Sequence, residues 1–161
     1  MFVIVPERKK DLIYRENLLD KVFGLDRHNL TTYKLRIDVD PVSDLSFSAL
    51  YNDTFQGSLR FWPVLIKGAY KPLLLGPLAV DPVRRGQAIG VALVRNGLFK
   101  AKELGYDVVV LVGNFEYYKR FGFINYNKIT LEGYYDKSRL LIKNLQKEDV
   151  SNVYGMVSKF K

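Results

Sequence analysis

The stretch that decides the fold is LLLGPLAVDPVRRGQAIG, residues 73–90. Residues 73–80 are apolar at nearly every position, which is typical of a strand buried on both faces of a sheet. The pair Gly76-Pro77 interrupts this strand, because proline has no N–H to give to a ladder and occurs at bulges or edges. We therefore predict a central strand that bulges or splays and leaves backbone N–H and C=O groups in need of another partner.

A helix and a second buried strand follow. Residues 84–88 form a basic turn, and the helix after it is predicted to reach about Leu104. Its buried face comprises Ile89, Leu93, Gly97, Ala101 and Leu104. Residues 108–112 are all aliphatic and predict another buried strand, so this unit implies a right-handed crossover and a parallel strand pair. A short helix over residues 115–121, ended by Gly122, completes the unit.

The flanking sequence predicts antiparallel strands and two further helices. We interpret residues 2–5 as a first strand and not as a signal peptide. A helix follows to Gly24, with Leu12, Ile13, Leu19, Val22 and Phe23 on its apolar face and Arg15 elsewhere. Asn29 is predicted to cap a short helix over residues 30–36. The remaining strands are predicted at 45–51, 59–66, 123–126, 128–131, 140–143 and 153–160, with one helical turn at 147–152.

Composition narrows the class of protein. A chain of 161 residues that is 48% hydrophobic suits one domain, residues 1–161. The absence of cysteine excludes disulfides, thiolate metal sites and cysteine nucleophiles, and the single histidine, His28, makes a multi-histidine metal site a poor interpretation. The net charge of +8 is scattered along the chain, which favours a solvated basic surface over a nucleic-acid footprint. The apolar runs are too short to span a bilayer, and we expect a cytoplasmic protein without a metal.

The basic turn has the chemistry of an anion site. The first turn of a helix has free N–H groups and a partial positive charge. Small residues at positions 86, 88 and 90 let a phosphate approach that backbone, and Arg84 and Arg85 add positive charge. The turn lacks the lysine and length of a P-loop and the three glycines of a dinucleotide fingerprint. On spacing alone, a phosphate site and a purely structural turn are both open.

Three motifs that follow one another in the chain favour the phosphate site. They are residues 76–82 (GPLAVDP), residues 85–90 (RGQAIG) and residues 117–123 (YYKRFGF), with Gly113 before the last. Together they resemble the GCN5-related N-acetyltransferase (GNAT) superfamily, in particular a bacterial subgroup of predicted acetyltransferases, over nearly the full chain. Ala88 stands where glycine is usual in that family. The resemblance implies an α/β fold with a mixed, mostly antiparallel sheet. That sheet would splay between Leu73–Val80 and Val108–Val112 and carry helices on both faces.

The resemblance also implies acetyl-CoA as the acetyl donor. Leu78, Ala79 and Val80 would pair with its pantetheine arm. The pyrophosphate would lie on the turn formed by Arg84, Arg85, Gly86, Gln87, Ala88, Ile89 and Gly90. Tyr118 would donate a proton to the departing thiolate, with Tyr117 as the weaker candidate and a neighbour of the cofactor. Asn114 would contact the pantetheine or cap the helix that follows it.

Several points stay open. Tyr118 has packing against the cofactor as an alternative role. The general base is not identified: Asp44, Asp53, Glu116, Glu132 and Asp136 are candidates, and a water chain would also serve. The main hypothesis is an N-acetyltransferase that acts by direct attack of an amine in a ternary complex. An acyl-CoA-binding regulatory module and a nucleic-acid-associated protein are the alternatives, and the acceptor and a homodimer are left open.

Overall fold

The structure is a computed structural model that describes residues 1–161. Its strands are β1 (Phe2–Pro6), β2 (Ser46–Tyr51), β3 (Thr54–Lys67), β4 (Leu73–Val80), β5 (Val108–Val112), β6 (Ile124–Asn125), β7 (Ile129–Thr130), β8 (Leu140–Asn144) and β9 (Tyr154–Lys159). Its helices are α1 (Leu12–Phe23), α2 (Thr31–Lys34), α3 (Ile89–Glu103) and α4 (Phe115–Tyr118). None of the helices combines the length and the apolarity needed to cross a membrane.

The strands form one mixed sheet in the order β1-β2-β3-β4-β5-β8-β6, with β9 and β7 added beside the second half of β3. β4 and β5 are parallel, β7 and β9 are parallel, and every other pair is antiparallel. Pro63 lies where one neighbour of β3 changes, since β2 pairs as far as Arg60 and β9 pairs from Val64. A residue without an N–H is tolerated at such a change of partner. The predicted mixed, mostly antiparallel sheet is confirmed.

Helices cover both faces of the sheet, as predicted. On one face α3 buries Ile89, Leu93 and Ala101 in a core with side chains of β2 to β5. On the other face α1 places Leu18 and Leu19 against Ala79 of β4. A second apolar cluster on that face joins β5 and β8 to the C-terminal strands.

The centre of the sheet splays where the Gly76-Pro77 pair predicts it. β4 pairs with β5 at two positions only, Leu73 with Val109 and Leu74 with Val110, and the strands then separate. On its other side β4 bulges: Leu59 faces Leu78 while Phe61 faces Leu75, so β4 holds one extra residue. The indole Nε1 of Trp62 donates a hydrogen bond to the Gly76 carbonyl over 2.6 Å. This bond satisfies a buried carbonyl that the bulge removes from the ladder.

The predicted apolar face of the first helix is right at Leu19 and Val22 and wrong at Leu12, Ile13 and Phe23. α1 starts at Leu12, after a 3₁₀ turn over Lys9–Asp11, and it buries Arg15, Leu18 and Leu19. Leu12 and Ile13 are 40% and 66% exposed. A pattern of apolar residues does not predict that an arginine is buried. The burial of Arg15 is tolerated because its guanidinium lies 2.8 Å from the Glu16 carboxylate and 3.6 Å from the Glu7 carboxylate.

Three smaller predictions are also wrong. Leu30, and not Asn29, precedes α2, and no side chain caps that helix. Residues 147–152 form no helical turn. Leu104 is 38% exposed because α3 ends at Glu103 and the chain turns away from the sheet.

The Trp62 contact yields a prediction about stability. Replacement of Trp62 by Phe keeps an aromatic ring but leaves the Gly76 carbonyl unpaired in a buried site, so the free energy of unfolding should fall by about 1–3 kcal/mol. Urea unfolding followed by circular dichroism measures this change, since Trp62 is the single tryptophan and its fluorescence is lost in the variant. A change below about 0.5 kcal/mol would show that the bulge does not depend on this bond.

Candidate functional site

The anion-binding candidate is the turn that leads from β4 into α3. Asp81 opens it, and its carboxylate accepts a hydrogen bond from the Val83 N–H over 3.0 Å. Gly86 (φ 85°) and Ala88 (φ 62°) then both adopt left-handed backbone conformations and turn the chain into the helix. The first intrahelical bond runs from the Ala92 N–H to the Ala88 carbonyl over 3.0 Å. The N–H groups that precede it therefore point out of the helix end, where an anion is stabilised.

Three arginines and no carboxylates line a pocket of about 490 Å³ at this helix end: Arg84, Arg85 and Arg120. The guanidinium of Arg84 stacks 3.7 Å from the centre of the Tyr51 ring. Arg120 donates from Nε to the Tyr117 carbonyl over 2.8 Å and stacks on the Tyr117 ring. Sequence reasoning missed Arg120 as a site residue, although its place one helical turn after Tyr117 was a usable signal.

Gly90 makes room for Tyr117 at the same pocket. A Cβ atom at position 90 would lie 2.7 Å from the Tyr117 hydroxyl, which is closer than real contacts of that kind. The ring of Tyr117 is thus seated over the first turn of α3. Burial raises the pKa of Tyr117, while Arg120 acts in the opposite direction. Tyr117 therefore belongs to the anion pocket, as a neutral phenol at physiological pH.

The splay opens a separate cleft of about 210 Å³ between β4 and β5. Its two strand walls are residues 75–78 and 111–114, and residues from the α1–α2 region and Arg139 close its outer side. Tyr118 lines this cleft, and its hydroxyl has no hydrogen-bond partner within the protein. Gly113 allows this placement, because a Cβ there would come within 2.8 Å of the Tyr118 ring.

The pKa of Tyr118 is raised, first by burial and second by Tyr117, while Arg139 lowers it. The net effect keeps the phenol protonated well above neutral pH. A protonated, unpartnered hydroxyl at the splay is able to donate a proton to a leaving group placed in the cleft.

Asn114 has a structural role that the sequence left open. Its side-chain oxygen accepts a hydrogen bond from the Tyr117 N–H over 3.1 Å and caps α4. Asn114 also lines the cleft. It therefore fixes the helix that carries both tyrosines while its amide nitrogen stays available to a ligand.

The predicted cofactor residues divide between the two spaces. Val80, Arg84, Arg85, Gly86, Ala88, Ile89, Gly90 and Tyr117 line the anion pocket, and Leu78, Asn114 and Tyr118 line the cleft. Two predicted residues line neither space. The side chain of Ala79 is buried under α1, on the face of the sheet opposite to α3. Gln87 is exposed on the turn. A role for Ala79 in a ligand site is thus confined to its backbone.

The candidate general bases do not reach the cleft. No aspartate or glutamate lines it. Asp53 pairs with Arg8 over 3.0 Å, Glu116 pairs with Lys119 over 2.6 Å, and Asp136 caps the turn over Lys137–Arg139. Asp44 lies within the 3₁₀ turn Ser43–Leu45, and Glu132 is exposed. No group of His, Cys, Asp or Glu side chains is arranged to hold a metal ion.

Comparison with known proteins agrees with this architecture. The sequence profile of the acetyltransferase (GNAT) family matches residues 12–123. The chain therefore belongs to the GNAT family, which confirms the resemblance seen in its motifs.

Two curated relatives come from Escherichia coli. The uncharacterized N-acetyltransferase YjhQ of strain K12 is 31% identical over 106 residues, which are 64% of this chain and 59% of the relative. The uncharacterized N-acetyltransferase YhbS of the same strain is 41% identical over 68 residues, which are 42% of this chain and 41% of the relative. The matched segments thus span about half the length of these relatives.

Solved structures match over a longer range. The crystal structure of Escherichia coli YhbS in complex with CoA has a TM-score of 0.82 at 26% identity and covers 99% of this chain and 89% of that chain. A GNAT family acetyltransferase from Brucella melitensis in complex with acetyl-CoA has a TM-score of 0.71 at 27% identity and covers 99% and 96%.

The backbone at Ala88 yields a second prediction. An L-residue in the left-handed region costs about 1–2 kcal/mol, whereas glycine adopts it freely. Ala88→Gly should leave the free energy of unfolding unchanged or raise it by up to about 1 kcal/mol, after the entropy cost of glycine in the unfolded chain. The control Ala92→Gly, in the first turn of α3, should lower the free energy of unfolding by about 1 kcal/mol. Urea unfolding measures both changes, and an equal loss of free energy of unfolding in the two variants would contradict the predicted strain at Ala88.

Proposed function

We propose that this protein is an acetyl-CoA-dependent N-acetyltransferase that transfers the acetyl group to a primary amine by direct attack in a ternary complex. The observation that carries the proposal is the open inner edge of β4. Leu75 and residues 78–80 have sheet partners on the β3 side, and residues 75–80 have none on the β5 side, in the middle of a sheet. Such an edge needs hydrogen-bond partners, and the amide groups of a pantetheine arm supply them in the manner of an added strand.

The two spaces at the ends of this edge fit the rest of the molecule. The anion pocket offers helix-end N–H groups and three arginines to a pyrophosphate. The apolar walls of the cleft suit the uncharged end of the arm and its acetyl group. The CoA and acetyl-CoA complexes of the two similar structures support the same ligand. Acetyl-CoA is therefore proposed as the cosubstrate, with Leu78, Ala79 and Val80 contributing backbone groups.

The chemistry that acetyl-CoA supplies is a thioester whose carbonyl carbon accepts the amine. The C–N bond forms, the C–S bond breaks, and the sulfur leaves with a proton. The Tyr118 hydroxyl is proposed to give that proton and to regain one from solvent. Backbone N–H groups of β4 are proposed to stabilise the negative charge on the carbonyl oxygen. Because no carboxylate lines the cleft, the amine is proposed to arrive neutral or to lose its ammonium proton to water. The nitrogen then loses one further proton to water as the amide forms.

Tyr118→Phe tests the proton donor. The variant keeps the ring and its contacts but removes the hydroxyl, so kcat should fall by about 10²–10⁴-fold with the KM for acetyl-CoA little changed. Thiol release in the presence of an amine measures this effect. The matched control is the adjacent Tyr117→Phe, which alters the anion pocket and should change KM for acetyl-CoA more than kcat. A Tyr118→Phe variant with full kcat would contradict the role.

Arg120→Ala tests the phosphate site. Loss of one charged contact should weaken CoA binding by about 10-fold, as measured by calorimetry, and leave the binding of pantetheine unchanged because pantetheine has no pyrophosphate. Arg95→Ala, which removes an exposed arginine of α3 outside the pocket, is the control. Equal losses for CoA and pantetheine would contradict the assignment.

The missing general base favours a second candidate function, an acyl-CoA-binding regulatory module without catalysis. Tight acetyl-CoA binding without turnover over a broad amine panel, and without any effect of Tyr118→Phe, would support this candidate over the enzyme.

A further inference from the structure

Four arginines, Arg15, Arg27, Arg36 and Arg60, cluster beside the cleft on its α1–α2 side, and carboxylates balance three of them. Arg60 donates to Glu7 over 2.8 Å, Arg15 donates to Glu16 over 2.8 Å, and Arg27 donates to Asp20 over 3.0 Å. Each of these three guanidinium groups thus has its own carboxylate. The guanidinium of the fourth arginine of the cluster, Arg36, makes no ion pair and no hydrogen bond within the protein, and only the backbone of Arg36 is hydrogen-bonded.

Arg36 is therefore a partly buried charge without a counterion. Its guanidinium carbon lies 5.6 Å from the centre of the Tyr33 ring and 5.7 Å from that of Trp62, and these rings replace water on its flanks. Burial, followed by the charge of Arg15, lowers the pKa of Arg36 to about 10. An uncompensated charge in such a place is costly unless a ligand neutralises it.

The cleft is where that ligand would lie. Arg36 lines it from the α2 side, and Arg139 lines it beside Tyr118. The side chain of Arg139 likewise has no ion-pair or hydrogen-bond partner within the protein. Thr32 and Tyr33 add hydroxyl groups, and no carboxylate lines the cleft. The acceptor side of the cleft is thus positive, which attracts an anion and disfavours a polycationic amine.

We propose that the acceptor is a small primary amine that also carries a carboxylate, such as an α-amino acid, and that Arg36 and Arg139 bind this carboxylate. This inference rests on the proposed N-acetyltransferase activity and names the class of its acceptor. A guanidinium fork matches a carboxylate in a bidentate arrangement, which fixes the orientation of the attached amine. The cleft of about 210 Å³ also takes the end of the pantetheine arm, so the space beside it suits a small acceptor and not a folded polypeptide segment.

The carboxylate takes no part in bond making. The amine nitrogen bonds to the acetyl carbon and loses a proton to solvent, while the thiol leaves with the proton of Tyr118. Arg36 is thus a positioning and specificity residue, and its loss should raise the KM for the acceptor more than it lowers kcat.

The test compares matched acceptors by thiol release: α-amino acids of several sizes and the amines that remain when their carboxyl group is removed, such as phenylalanine with phenethylamine. We expect kcat/KM to favour the carboxylate-bearing member by about 10- to 100-fold. Arg36→Met should bring this kcat/KM ratio close to one, and Arg36→Lys should keep part of the wild-type ratio. Arg139 is exposed, and Arg139→Met should reduce the ratio. The affinity for acetyl-CoA should stay unchanged in all three variants, and Arg95→Met should retain the wild-type ratio.

Two further outcomes separate this inference from the function on which it rests. Turnover that is equal or faster with the amines lacking a carboxylate would overturn the inference and leave the acetyltransferase intact. If no amine is turned over, calorimetry with the CoA-bound protein compares N-acetylphenylalanine with N-acetylphenethylamine. Equal or absent binding of both overturns the inference, and preferential binding of the carboxylate that Arg36→Met abolishes supports it. Failure of acetyl-CoA itself to bind would refute the proposed function and the inference together.

Discussion

The structure depends on a strand whose inner edge stays unpaired in the centre of a sheet. β4 and β5 share two residue pairs before they separate, so the hydrogen-bonding groups that follow are held open. Two anchors prevent the sheet from closing: the extra residue of the β4 bulge, fixed by Trp62, and the complete pairing of β5 with β8 on its other side. Because buried backbone groups must be satisfied, this edge is the strongest physical requirement for a ligand in the molecule.

Two adjacent tyrosines are separated by this geometry into different environments. The rings of Tyr117 and Tyr118 meet edge to face with centres 5.0 Å apart, yet one lies over the start of α3 and the other faces the cleft. A glycine makes room for each ring, Gly90 for the first and Gly113 for the second. Neighbouring residues on a helix diverge by about 100°, so a single turn of α4 serves both ends of the open edge.

The arginine side chains are likewise divided between the anion pocket and the acceptor side of the cleft. The arginines of the anion pocket lie beside helix-end N–H groups. On the acceptor side, Glu7 and carboxylates of α1 neutralise Arg15, Arg27 and Arg60, whereas Arg36 and Arg139 stay unpaired. The buried Arg15 belongs to this second group and links α1 to Glu7, which follows β1. A net charge of +8 scattered in sequence thus becomes two local positive sites in space.

The sequence by itself determined the central unit. Continuous apolar runs, the Gly76-Pro77 break and the basic turn fix β4, α3 and β5 through local rules of pairing, capping and periodicity, and the motifs around them identified the family. Only the tertiary structure decided which face of α1 is buried and that the side chain of Ala79 packs under α1 and does not line the cleft. It also decided that Arg120 lines the anion pocket and that Arg36 lacks a counterion. These properties depend on partners distant in the chain, and a periodicity within one element cannot specify which charges will meet across several.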